Sequence, residues 1–179
     1  MLASPFALIV IDLQTGMLDG VKEPPLDDHH RLLANAKALI AWARRRGAPV
    51  AFIRHDGSPG DSLAPGEPGW PVHPALGQGP DEPTFSKSVG DAFTQPALEA
   101  WLRDRQIGEV ILIGAQTNQC VQATVTGALA HGFNVTVAGD AHGTWDWDGE
   151  TAPQIIARHN TMFADAGAKV LTTAQLVES

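Results

Sequence analysis

Near its start the chain carries an almost unbroken apolar run, Ala7–Leu13 (ALIVIDL), the pattern of a strand buried on both faces. From Asp27 to Arg46 the period changes. Leu32, Leu33, Ala36, Leu39, Ile40 and Ala43 recur at steps of three and four, which predicts a helix, and Gly47 stops it. Pro49–Arg54 reads as a second strand and Thr84–Ser88 as a short third one. Pro96–Arg105 reads as a helix with Leu98, Trp101 and Leu102 inward, and Glu109–Ala115 (EVILIGA) as another fully apolar strand. A helix over Asn118–His131 follows, ended by Gly132. Asn134–Ala138 is then a strand, about Gly149–Ala166 a helix, and Lys169–Thr172 a last strand before a short terminal helix. Alternating strands and helices predict an α/β fold with three layers, α/β/α, around a central, mainly parallel sheet. The one long aperiodic stretch, Asp56 to Pro83, is dense in glycine and proline. A loop of that length inside a compact domain points to function rather than to a linker.

Composition narrows the possibilities. The 179 residues fit one domain, 1–179. The net charge of −8 argues against a nucleic-acid partner. No apolar run approaches the ~20 residues of a membrane span, and Asp12 interrupts the first apolar segment too early for a signal peptide. A soluble, cytoplasmic protein without a membrane partner is expected. A single cysteine excludes an internal disulfide and a cysteine zinc cluster. The absence of tyrosine excludes tyrosine acid–base chemistry.

In a doubly wound sheet, ligands bind beyond the carboxyl ends of the strands. Asp12 lies there after the first strand, His55 and Asp56 after the second, Lys87 after the third, and Gln116 to Cys120 after EVILIGA. Asn118 suits an N-cap, which would put Cys120 in the first turn of a helix. There, free N–H groups and the dipole stabilise a thiolate and can hold an oxyanion. A lone cysteine is as readily a small buried hydrophobe. Asp12 could be a structural acid and Lys87 a solvated surface group. Together, at three strand ends, they can meet at one point.

The segment ILIGAQTNQCVQATVTGALAHGFNVTVAGDAHGT resembles the signature of the isochorismatase-like cysteine hydrolases. VIDLQ is similar to that family's first strand, and FSKSVGDAF to the segment carrying its lysine. GWPVHPAL resembles the loop that precedes that segment in many members. The resemblance implies a catalytic triad: Cys120 as nucleophile, Asp12 as general base, and Lys87 as the cation that keeps Asp12 ionised. It further implies a cis peptide bond between Ala115 and Gln116, and an oxyanion hole made by the N–H groups of Gln116 and Cys120. Because Cys120 is present, the resemblance points to the amide-cleaving branch, whose substrate is a small molecule with a C–N bond. It also implies an assembly of two or more copies.

Nicotinamidases of that branch bind a metal through Asp-x-His and further histidines after the second strand. Here the region reads RHDGSPGDSL, without that spacing. His55, Asp56 and His73 could form only a poorer site, so no metal and no cofactor are expected. Gln14, Trp70, His142 and Trp145 are candidates for the walls of a substrate pocket, and Trp147 falls in the same loops. His29, His30, His131 and His159 read as helix-end or packing residues. The helix dipole and Lys87 are expected to prevail over the Asp12 charge and lower the Cys120 pKa. Two other readings stand beside the hydrolase: a single-cysteine redox protein, and a non-catalytic binding protein on the same fold.

Overall fold

Strand β1 (Phe6–Ile11) is buried at every residue. Its alternate side chains supply two cores. Phe6, Leu8 and Val10 enter one cluster, and Ala7, Ile9 and Ile11 the other. Such a strand is stable only with helices on both faces, and the computed structural model, which describes residues 5–178, has that arrangement. Six parallel strands run in the order β3-β2-β1-β4-β5-β6. The others are β2 (Val50–His55), β3 (Thr84–Lys87), β4 (Glu109–Ala115), β5 (Asn134–Gly143) and β6 (Lys169–Leu171).

The helix α2 (His29–Arg45) covers the first core with Leu32, Ala36, Leu39, Ile40 and Ala43, joined by Leu176 of α6 (Thr173–Val177). The second core takes Leu98 and Leu102 of α3 (Pro96–Asp104), Val125 and Ala128 of α4 (Gln122–Ala130), and Phe163 of α5 (Ala152–Asp165). Proline at the start of α3 and of α5 suits a helix N-terminus, where its missing N–H leaves nothing unpaired. Among the described residues no helix is long and apolar enough to cross a membrane.

Three elements depart from the reading of the sequence. A four-residue helix α1 (Thr15–Leu18) follows β1, too short to leave a periodic signal. β5 continues beyond Ala138 to Gly143, because its register against β4 shifts between Leu112 and Gly114 and then resumes at His142. The helix foreseen from Asn118 begins as a wide π-type turn, Thr117–Val121, whose N-cap is Gln116. Asn118 is not the cap; its Oδ1 accepts from the Thr144 hydroxyl at 2.7 Å.

Gly114 marks the point where β4 is drawn against β1. Its φ is +134°, and a Cβ added there would lie 2.0 Å from the Ile11 carbonyl oxygen. The clash is with backbone, which no rotamer change relieves. Gly114→Ala should therefore lower stability by about 3 kcal/mol or more, or prevent folding. Thermal denaturation within 1 °C of wild type would contradict this account of the β1–β4 contact.

Candidate active site

Strand register brings the candidate side chains to one edge of the sheet. Lys87, the last residue of β3, is paired with His55, the last of β2. Ile11, the last of β1, is paired with both Ile53 of β2 and Gly114 of β4. Asp12 therefore emerges beside His55 and Lys87, and the β4–α4 turn brings up Cys120. Asp12 itself adopts a left-handed conformation with φ of 49°, tolerated by aspartate better than by most residues. Its N–H donates to Ile53 O at 3.0 Å and its carbonyl accepts from Gln14 N at 2.8 Å, which fixes that bend.

The Lys87 ammonium stands at the centre. Nζ donates to Asp12 Oδ2 at 2.6 Å and to Cys120 Sγ at 3.1 Å, and lies 3.5 Å from His55 Nδ1. Both side chains of the Lys87–Asp12 pair are fully shielded from solvent. A buried ion pair of this kind is tolerated only with close geometry. The second oxygen, Asp12 Oδ1, is buried without a hydrogen-bond partner. An oxygen of Asp12, a ring nitrogen of His55 and the Cys120 sulfur lie within 4.8 Å of one another.

The thiol does not behave as the sequence suggested. Burial pushes the Cys120 pKa up to about 12, and the Asp12 carboxylate adds to the rise while Lys87 opposes it. Desolvation and the neighbouring anion outweigh the ammonium, so the resting sulfur is a protonated thiol rather than a thiolate. The peptide bond between Ala115 and Gln116 is cis, as the family resemblance implied.

Cys120 opens onto a cavity of about 430 Å³ that is also lined by His55, Gln116, Asn118, Gln119, Trp145 and Trp147. Trp145 is thus at the pocket, with its indole N–H donating to Pro24 O at 2.8 Å. The other three candidate wall residues lie elsewhere. Gln14 is fully buried and acts as a brace: its amide exchanges bonds with the His55 N–H and carbonyl and donates to Trp70 O at 2.7 Å. Trp70 packs behind the site, its indole N–H on Asp56 Oδ1 at 2.8 Å and the Arg54 guanidinium 3.6 Å over its ring.

His142 is buried in the sheet. Its Nε2 donates to Asn160 Oδ1 and its Nδ1 accepts from the Thr117 hydroxyl, both at 2.9 Å. Asn160 in turn donates to Gly139 O at 2.9 Å. This chain of bonds ties the Cys120 turn to β5 and α5, and nothing in local sequence spacing signals it. Nor do His55, Asp56 and His73 converge as a metal set. His73 Nε2 bonds Asp19 Oδ1 at 2.8 Å, and Asp56 is taken by Trp70. Among the described residues the one cluster of metal-ligand type is Asp12, His55 and Cys120, and two of its members already bond the Lys87 ammonium. The residues of this chain therefore do not fit the metal of the nicotinamidases.

Burial lowers the His142 pKa to about 4, from an ordinary value of 6.5, so the ring is neutral in its bonded role. A base held neutral by the fold stabilises it above the unfolded value, and this contribution is lost as pH falls from about 6.5 toward 4. The melting temperature should fall across that window, and His142→Gln should flatten the fall. A His142→Gln profile parallel to wild type would contradict it.

A doubly wound parallel sheet with this cleft at its carboxyl edge is the α/β architecture that the isochorismatase-type proteins share. A solved protein from Oleispira antarctica, classed with the isochorismatase hydrolases, superposes with a TM-score of 0.91 at 26% identity, over 100% of this chain and 99% of that one. The family model for the isochorismatase domain matches residues 6–175, and the chain belongs to the isochorismatase-like cysteine hydrolase family. It is 36% identical over 140 residues to a streptothricin hydrolase of Streptomyces noursei, covering 78% of this chain but only 50% of that protein. The chain thus spans half the length of this relative. It is also 32% identical over 157 residues to nicotinamidase 3 of Arabidopsis thaliana, covering 78% of this chain and 74% of that one.

Proposed function

We propose that this hydrolase cleaves a non-peptide C–N bond of a small amide, carbamoyl amide or lactam through a thioester on Cys120. The observation that carries the reading is the single Lys87 ammonium shared between Asp12 at 2.6 Å and Cys120 at 3.1 Å. Relatives named for streptothricin and nicotinamide hydrolysis support amide chemistry.

The resting thiol is protonated, so attack requires its proton to leave as the S–C bond forms. Asp12 takes that proton, its carboxylate held beside the sulfur by the Lys87 ammonium. The carbonyl oxygen becomes an oxyanion, held by the N–H groups of Gln116 and Cys120. Collapse breaks the C–N bond, and the proton on Asp12 passes to the departing nitrogen. Asp12, again a carboxylate, then removes a proton from the water that attacks the thioester. The S–C bond then breaks, the acid is released, and the proton on Asp12 returns to the sulfur to restore the Cys120 thiol. No step needs a metal. The redox reading would need an external thiol to recycle Cys120, since the chain holds one cysteine.

The test is a panel of small primary amides, carbamoyl amides and lactams, followed by release of ammonia, amine or acid. Turnover of at least one class by the wild type, absent in Cys120→Ala and unchanged by chelators, is the expected result. Turnover retained by Cys120→Ala, or abolished by chelators and restored by zinc or iron, would contradict the mechanism.

A further inference from the structure

The walls around the thiol are acidic and aromatic as well as polar. Besides the polar side chains of Asn118 and Gln119, the cavity in front of Cys120 is bordered by Glu23, Asp61, Trp145 and Trp147. Among the described residues no arginine or lysine lines it. The nearby basic groups are engaged elsewhere: Lys22 Nζ bonds Glu67 Oε2 and Gly60 O, each at 3.2 Å, and Arg54 is stacked on Trp70. Lys87 lies beneath the sulfur, already paired with Asp12. His55, the remaining titratable group on the wall, is 3.5 Å from the Lys87 ammonium.

Two side chains of the rim have no partner among the described residues. Trp147 is 66% exposed, the most open large hydrophobic side chain among the described residues. Glu23 forms no ion pair or hydrogen bond within the described chain. Asp61 spends one oxygen on the Leu63 N–H at 2.8 Å. Indole faces and carboxylates around one space hold an organic cation by the ring quadrupole and by charge. The same walls repel a carboxylate or phosphate. The net charge of −8 acts in the same direction at longer range.

Resting on the hydrolase reading above, we infer that the substrate of this site is a cationic amide, bearing an ammonium or guanidinium group that sits between Trp147 and Glu23 while its carbonyl reaches Cys120. Asp61 and Trp145 complete that wall. Anionic amides are excluded by it.

The experiment uses three amides of closely similar length. They are 4-(trimethylammonio)butanamide, its uncharged isostere 5,5-dimethylhexanamide, and the anion glutaramate. Binding is measured by calorimetry on the folded Cys120→Ala protein, which cannot turn the probes over. The cation should bind about tenfold more tightly than the isostere, and the anion more weakly than either. Glu23→Gln and Trp147→Ala, both at exposed positions, should each remove most of the preference, and added salt should reduce it. Equal binding of cation and isostere, no measurable binding of the cation, or a preference untouched by both substitutions would overturn the inference.

Ammonia release by the wild type from the same amides separates this claim from the one it rests on. Cys120-dependent turnover without charge preference sinks the cationic assignment and leaves the hydrolase standing. Preferential binding of the cation with no Cys120-dependent turnover does the reverse.

Discussion

Lys87→Met should destabilise the protein by about 3–5 kcal/mol, because it leaves the fully buried Asp12 carboxylate without its counter-charge. Asp12 Oδ1 is buried without a hydrogen-bond partner, so Lys87 is the one cation bonded to that carboxylate among the described residues. The same substitution should lower amide turnover by about 10³-fold or more, since the ammonium that joins the Asp12 carboxylate to the Cys120 sulfur is gone. The double variant Lys87→Met/Asp12→Asn removes the charge as well as its partner. It should recover much of the lost stability and none of the activity. Denaturant unfolding and amide turnover on the wild type, Lys87→Met, Asp12→Asn and the double variant form a double-mutant cycle. Equal stability of the single and double variants would mean that the ion pair does not hold Asp12 in the fold.

Cys120→Ser is the second large effect. Asp12 can accept a thiol proton as the sulfur attacks, but a serine hydroxyl is a much weaker acid and the carboxylate a weak base toward it. Turnover should fall by about 10³-fold or more, with thermal stability close to wild type. The thiol's own reactivity carries a sign opposite to that of an activated thiolate. With the pKa pushed up to about 12, iodoacetamide should label native Cys120 slowly at pH 7, and faster at each step up to pH 10. Labelling already at its plateau by pH 7 would mean that Lys87 prevails over burial and Asp12 after all.

The fold was legible because its central strands are almost pure apolar text. ALIVIDL and EVILIGA are continuous apolar runs of strand length, the pattern of strands buried on both faces, and most of helix α2 follows its three- and four-residue steps. The meeting of Asp12, Lys87 and Cys120 was legible for a related reason: each lies at or just beyond the end of a strand, and parallel strands end at one edge of the sheet.

What was not legible depends on contacts far apart in sequence. Gln14 reads like a pocket residue beside Asp12, yet its partners are His55 and Trp70. His142 sits at the end of a strand as a ligand-binding residue would, but the extension of β5 buries it and gives it to Thr117 and Asn160. The Cys120 pKa could not be read from nearby charges alone, since desolvation, which only the packed structure reveals, outweighs the lysine. Asn118 has the chemistry of a cap, but the wide turn at Thr117–Val121 moves the cap to Gln116.

The central claim is a covalent bond between the acyl group of the substrate and Cys120. The most direct measurement is intact-mass spectrometry of enzyme quenched in acid during turnover of any amide it hydrolyses, followed by peptide mapping. The account predicts a mass increase equal to the acyl group, located on Cys120 and removed by hydroxylamine as a thioester is. Turnover at full rate with no adduct at any quench time, and undiminished in Cys120→Ser, would contradict it.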